Sequence, residues 1–93
     1  MQINLYATFR QAAGTKSVQI DLEAAKPVQA VLDELVERYP GLRAHLLDGA
    51  GQLNGHVHLF VNRKDITYLP EGLSAVLQPG DMLDIFPPVG GGA

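Results

Sequence analysis

The segment from Pro27 to Gly41, PVQAVLDELVERYPG, decides the fold of this 93-residue chain. Its apolar residues recur at spacings of three and four, which places them on one stripe of an amphipathic helix; they are Val28, Val31, Leu32, Leu35, Val36 and Tyr39. Proline suits the first helical turn, where the missing N–H would have had no partner. Pro40 and Gly41 end the helix, because the residue before a proline avoids the α conformation and glycine readily takes positive φ. The segment predicts one helix of about three turns.

The segments on both sides of this helix alternate apolar and polar residues, which is the period of half-buried strands. They are residues 2–8, 17–22, 56–62 and 82–86. The first two form a wide hairpin around Gly14. We also expect a helical turn over 42–47, a short edge strand over 66–69, and an irregular turn that tucks Leu73, Val76 and Leu77 against the core. One helix across a five-stranded mixed sheet predicts an α+β fold, a roll of the β-grasp type.

Composition and charge exclude several classes of protein. Hydrophobic residues make up 46% of the chain and charged residues 18%, which predicts a folded single domain. Seven basic and ten acidic side chains give a net charge of −3, which argues against a nucleic-acid partner. The absence of cysteine excludes disulfides, thiolate metal sites and a cysteine nucleophile. Without a leader-type start or a run of about 18 apolar residues, we expect a cytoplasmic protein with no membrane partner.

The usual catalytic and cofactor motifs are nearly missing. His56 and His58 share one face of the third predicted strand, but no third ligand is marked by spacing, so we expect no metal site. Gly49-Ala50-Gly51 resembles part of a phosphate loop, yet it neither follows a strand directly nor opens a helix. We interpret it as a surface loop. No bound cofactor is expected.

The unusual feature is the end of the sequence, where Pro87-Pro88 follows the last strand and leads into Val89-Gly90-Gly91-Gly92-Ala93. Terminal glycines are often only a tail. Alternatively, glycines let a backbone enter the active site of another protein, where any Cβ would collide. The group at the end of such an arm is a carboxylate, which must be activated, for example by adenylation with ATP, before a sulfur nucleophile can take the acyl group. The predicted organisation is a domain over 1–88 and a flexible tail over 89–93, with the chain as a protein cosubstrate and not an enzyme.

Five stretches carry a resemblance to a known family. They are Leu5 to Arg10 (LYATFR), Tyr39 to Leu42 (YPGL), Leu59 to Asn62 (LFVN), Pro79 to Asp81 (PGD) and Phe86 to Val89 (FPPV) before the glycines. Together they are similar to the MoaD/ThiS family of ubiquitin-like sulfur carriers over essentially the whole chain. The resemblance implies a β-grasp fold and an E1-like adenylyltransferase partner of the MoeB/ThiF type, which uses ATP and Mg. It also implies a thiocarboxylate at the terminal glycine, here Gly92 preceded by Gly91, and a sulfur-accepting biosynthetic enzyme.

The resemblance leaves the pathway open. The long connection from Tyr39 to Asn62 is similar to the branch with the cysteine-synthesis carrier CysO and the archaeal small modifiers. The FPPV ending is similar to the small subunit of molybdopterin synthase. Family members usually finish at Gly-Gly, so Ala93 either is an addition or must be removed, for which the family offers a JAMM-type peptidase. The alternatives are a ubiquitin-like modifier that is conjugated to lysines and a plain β-grasp binding module.

The alternation also predicts a partner-binding surface. Tyr6, Phe60 and Phe86, joined by His58, lie on the sheet face away from the helix. Exposed aromatic side chains are enriched among the residues that dominate binding energy. The resemblance implies partner contacts for Tyr6 and Phe86, and Phe60 follows from the alternation alone. Pro87, Pro88, Val89 and Gly90 complete the predicted binding residues, because they lead from this surface to the end of the chain.

Overall fold

A five-stranded mixed sheet with one main helix packed against it forms the body of the chain in the computed structural model, which describes residues 1–87. In chain order the strands are β1 (Gln2–Leu5), β2 (Ser17–Gln19), β3 (Lys26–Pro27), β4 (His58–Val61), β5 (Lys64–Asp65), β6 (Val76–Leu77) and β7 (Met82–Phe86). The α-helices are α1 (Thr8–Ala13), α2 (Val28–Arg38) and α3 (Arg43–Leu46). Single 3-10 turns cover Pro40–Leu42, Ile66–Tyr68 and Gly72–Ser74. The predicted β-grasp architecture is confirmed.

The main sheet has the strand order β2-β1-β7-β4-β5. Strands β1 and β7 run parallel at its centre, and the other pairs are antiparallel. Helix α2 buries the predicted stripe from Val28 to Val36, while Tyr39 at its end is only half-buried. The inward residues of the strands complete the core; among them are Ile3, Leu5, Leu59, Leu83 and Ile85. The other face of the sheet, away from α2, is called the open sheet face below.

The connection between β1 and β2 differs from the predicted hairpin loop. The two strands are antiparallel as expected, but β1 ends at Leu5 and helix α1 follows it. Ala7 enters this helix with a φ of 51°, and Gly14 ends it in the left-handed conformation. Phe9 of α1 is buried in the core, and the alternation of the sequence did not predict this burial. Six residues are too few for a helical period to emerge from the sequence.

The segment after β4 also differs from the prediction. Asn62 and Arg63 both have positive φ in a tight turn that brings β5 back against β4. The edge strand expected over 66–69 is wrong, because the strand lies at Lys64–Asp65 and the chain then makes a 3-10 turn. The side chain of Asp65 accepts hydrogen bonds from the Thr67 backbone N–H and hydroxyl, both at 2.9 Å. Such local side-chain bonds compete with strand pairing.

Three smaller expectations are settled by the same structure. The helical turn expected over 42–47 is confirmed by α3. The irregular turn expected around Val76 and Leu77 is instead strand β6, which pairs with β3 in a separate two-stranded sheet that was not predicted. Leu77 is buried as expected, but Val76 is 54% exposed. His56 precedes β4, which begins at His58, so the two histidines do not share a strand face.

Candidate partner-binding site on the open sheet face

Three aromatic rings lie in contact on the open sheet face and form what is called the aromatic patch, Tyr6, Phe60 and Phe86. The rings of Tyr6 and Phe86 are stacked, with centroids 4.1 Å apart and planes 11° from parallel. Phe60 meets Phe86 edge-on, with centroids 5.4 Å apart and an interplanar angle of 83°. All three side chains are half-buried. The structure thus brings together the three aromatic residues that the alternation placed on this face.

The strand register explains this contact. Strand β1 pairs with β7 so that Leu5 faces Ile85, and the residues that follow, Tyr6 and Phe86, lie side by side. On the other side of β7, His58 is paired with Phe86. Pro87, also half-buried, follows directly. The chain therefore leaves the sheet beside the aromatic patch.

Arg10 extends the aromatic patch through a contact with Tyr6 that the sequence pattern did not predict. Its guanidinium carbon lies 5.3 Å from the centre of the Tyr6 ring, within the range of a cation–π contact. Its Nε donates a 2.7 Å hydrogen bond to the Leu5 carbonyl oxygen. Because Arg10 belongs to α1, its position depended on a helix that the sequence pattern did not indicate.

A buried carboxylate, Asp84, lies beneath the patch. The alternation along β7 places it on the open sheet face, opposite to the inward Leu83 and Ile85, but it is only 8% exposed. Its Oδ1 accepts hydrogen bonds from the Asn4 amide nitrogen at 2.8 Å and the Tyr6 hydroxyl at 3.2 Å. Gln2 in turn donates to the Asn4 side-chain oxygen at 2.7 Å. Burial, followed by the charge and hydrogen bond of Asp84, raises the pKa of the Tyr6 phenol above its ordinary value of 10.0.

Beside the aromatic patch is a depression of about 570 Å³, called the acidic pocket below. It is lined by His58, Phe60, Arg63, Asp65, Asp84 and Phe86. Hydrogen bonds from the backbone and hydroxyl of Thr67, with a smaller contribution from the nearby charge of His58, lower the pKa of Asp65. Two aromatic rings and two carboxylates line the pocket, with the exposed His58 and Arg63 beside them. The rings and carboxylates are groups that bind cations.

The remaining predicted site residues, Pro88, Val89, Gly90, Gly91 and Gly92, lie outside the described residues, as does Ala93. Within residues 1–87 no group of three His, Asp or Glu side chains is arranged to hold a metal ion. No helix in that part of the chain is long and apolar enough to cross a membrane.

Comparison with known proteins agrees with this architecture. The ThiS family model matches residues 3–92. This chain belongs to the ThiS family. The predicted resemblance to the MoaD/ThiS sulfur carriers is thereby confirmed.

Relatives of this ThiS-family chain include carriers and modifiers. It is 33% identical over 92 residues to small archaeal modifier protein 3 of Haloferax volcanii, covering 99% of this chain and 98% of the relative. It is 32% identical over 81 residues to the sulfur carrier protein CysO of Mycobacterium tuberculosis, covering 85% and 83% of the two chains.

Two solved structures show the same fold. The solution structure of small archaeal modifier protein 1 from Methanosarcina acetivorans has a TM-score of 0.85 and 31% identity, covering 97% of this chain and 93% of that one. A crystal structure of the Amycolatopsis orientalis BexX/CysO complex has a TM-score of 0.77 and 28% identity, covering 97% of both chains.

Proposed function

We propose that this chain carries sulfur as a thiocarboxylate on Gly92 and delivers it to a biosynthetic enzyme. The observation that carries the proposal is the family match through residue 92, which includes FPPV and the glycines as well as the folded body. The similarity to a sulfur carrier, CysO, over 85% of the chain supports it. The chain is a cosubstrate in this scheme, and catalysis belongs to its partners.

The chemistry requires an activating partner, because a carboxylate resists nucleophilic attack. A carboxylate oxygen of Gly92 attacks the α-phosphorus of MgATP, and pyrophosphate leaves. Hydrosulfide then attacks the carbonyl carbon of the acyl adenylate, AMP leaves, and the thiocarboxylate remains. Basic groups and Mg on the partner stabilise the negative charge that develops in both steps. In our proposal an E1-like adenylyltransferase of the MoeB/ThiF type supplies this activity. Because the reaction uses ATP, we propose that the chain acts in the cytoplasm.

The aromatic patch is our candidate for docking that partner. The chain leaves the sheet at Pro87, next to Phe86, so an enzyme that covers Phe86 stands close to the segment that follows. Gly92 lies five residues beyond Pro87, and an extended backbone reaches about 3.3 Å per residue. Glycines over 90–92 would let this arm enter a narrow active-site channel.

A second function is favoured by a specific similarity, that to small archaeal modifier protein 3 over 99% of the chain. In this case the same adenylate passes its acyl group to a lysine amine, and an isopeptide bond forms. Both functions require Gly92 at the end of the mature chain, and we expect a JAMM-type peptidase to remove Ala93. For the sulfur-carrier function, the partner enzymes decide whether the sulfur enters cysteine or molybdopterin synthesis.

Intact-mass spectrometry of the protein purified from its own organism tests the proposal. We expect a species that lacks Ala93 and has gained the mass of sulfur in place of one oxygen. A variant shortened to end at Val89 is the matched control and should show no such gain. Absence of the sulfur species, together with high-mass conjugates that disappear in the shortened variant, would favour the modifier. Absence of both would contradict the two activation-dependent functions.

A further inference from the structure

The acidic pocket contains a nearly buried carboxylate whose two oxygens differ in their hydrogen bonding. Asp84 is more than nine-tenths buried, and both hydrogen bonds that its side chain accepts from residues 1–87 go to Oδ1. Its Oδ2 accepts no hydrogen bond from the part of the chain that the structure describes. Oδ2 can therefore accept a hydrogen bond from a further donor. Asp84 is also one of the residues that line the acidic pocket.

The strand register places a second carboxylate across the pocket. Phe60 of β4 is paired with Asp84 on one side and with Asp65 of β5 on the other, so all three side chains lie on the open sheet face. Neighbouring strands are about 4.8 Å apart, which puts the two aspartates about 10 Å apart across the Phe60 ring. The floor of the pocket is therefore an aromatic ring between two anionic groups.

Neither carboxylate of the pocket forms an ion pair with a positive side chain among the described residues. His58 and Arg63 also line the pocket, but both side chains are exposed at its rim. The ion pairs among residues 1–87 join Lys26 and Arg38 to Glu34, on α2, and none involves an aspartate of the pocket. The positive side chains thus lie at the exposed rim, and the two aspartates lie beside the Phe60 ring without an ion pair to any described residue.

This arrangement restricts the kind of protein that can dock. A partner that covers the aromatic patch also covers Asp84, since Tyr6 touches both Phe86 and Asp84. Removing the remaining solvent contact of Asp84 and the more exposed carboxylate of Asp65 is unfavourable unless a cationic group takes the place of water. The docking surface must therefore bring its own positive charge to this point.

We propose that the acidic pocket receives an arginine side chain of the docking protein, with its guanidinium against Asp84 Oδ2 and over the Phe60 ring. Arginine fits better than lysine, because a guanidinium is planar, weakly hydrated and able to stack on a ring while it bonds carboxylates. Asp65 lies on the far side of the ring as a second acceptor. That the docking protein is the adenylating enzyme rests on the proposed function, whereas recognition of arginine does not.

Titration of the ¹⁵N-labelled full chain with Nα-acetyl-arginine amide, followed by amide chemical shifts, tests arginine recognition without any partner. We expect weak, saturable shifts centred on Phe60, Asp65 and Asp84, and no matching shifts with Nα-acetyl-citrulline amide, which has nearly the same shape but no charge. Asp84→Asn preserves the hydrogen bonds from Asn4 and Tyr6 and should weaken binding about tenfold. Glu37→Gln, at an exposed carboxylate on α2, is the matched control and should bind like wild type.

Two results would overturn the proposal: equal shifts with the citrulline compound, or unchanged affinity in Asp84→Asn while its spectrum shows an intact fold. A second measurement, calorimetric titration of the same variants with the adenylating enzyme of the organism, separates the two levels. If wild type does not bind that enzyme but the arginine shifts are specific, the proposed function fails and the arginine pocket stands. If Asp84→Asn binds the enzyme as wild type does, the pocket plays no part in docking it, and the proposal fails for this partner.

Discussion

Replacement of Phe86 by alanine tests the aromatic patch both as a structural element and as a docking surface. Phe86 lies at the centre of the patch, with its ring centroid 4.1 Å from that of Tyr6 and 5.4 Å from that of Phe60. Each aromatic pair contributes about 0.5–1.5 kcal/mol beyond the area that it buries. Loss of both pairs should lower the free energy of unfolding by about 1–3 kcal/mol, and the lost burial of the ring adds to this decrease, so urea denaturation should show a loss of at least about 1 kcal/mol.

Binding to the adenylating enzyme should be reduced in addition to this loss of stability. Truncation of a central aromatic hot spot costs about 2 kcal/mol or more, which corresponds to roughly 30-fold in Kd. Calorimetric titration measures this change at a temperature where the urea curve shows the variant to be folded. The loss of affinity should persist after any small unfolded fraction is subtracted, because the docking rings themselves are altered.

Tyr68→Ala is the matched control for this experiment. Tyr68 is 77% exposed in the 3-10 turn after β5, and within the described residues its ring stacks on no other aromatic side chain. We expect wild-type stability and wild-type affinity. If Phe86→Ala loses stability but binds the enzyme as tightly as wild type, the patch only holds the sheet together and the docking hypothesis is wrong. An equal loss of affinity in Tyr68→Ala would move the docking surface elsewhere.

Two further predictions follow from individual contacts. In Gly41→Ala the new Cβ would lie 2.7 Å from the Ala12 backbone oxygen, so urea denaturation should show a loss of about 1–3 kcal/mol in the free energy of unfolding. In the control Gly49→Ala the new Cβ would meet no other part of the chain within 4 Å, so the free energy of unfolding should stay unchanged or rise by up to about 1 kcal/mol. Equal effects of the two substitutions would contradict the steric argument. Because the pKa of Tyr6 is higher in the folded chain than in the unfolded chain, its neutral form contributes to the stability of the fold. This contribution is complete below the unfolded pKa of about 10 and is lost as the pH rises through the folded pKa. Asp84→Asn should lower the Tyr6 pKa only partway, because burial remains, and a tyrosinate absorbance titration that shows no change would refute the role of Asp84.

Periodicity predicted the elements that bury one face along their whole length. Helix α2 has a continuous stripe from Val28 to Val36, and β7 alternates around Leu83 and Ile85, so in both cases a local pattern reports directly on the core. It failed for α1 and for β5, which are six and two residues long. Elements this short are held by capping, turn geometry and contacts from other segments, and leave no period to detect.

The same distinction, between local patterns and contacts from other segments, applies to the candidate site. Alternation was enough to put Tyr6, Phe60 and Phe86 on one face, because each strand has only two faces. It could not show that Asp84, a polar residue on the same face, would be nearly enclosed. Nor could it place Arg10 over the Tyr6 ring, since that contact depends on the unpredicted helix α1.

The amino-acid order by itself determined the main helix, the outward and inward sides of the principal strands, and the membership of the ThiS family. Which outward residues become neighbours was decided only in three dimensions. Asn4 and Asp84 are 80 positions apart, yet they are hydrogen-bonded because β1 and β7 run parallel in one particular register. Such a register is selected by the packing of all strands against α2 at once, and no local stretch of sequence contains that information.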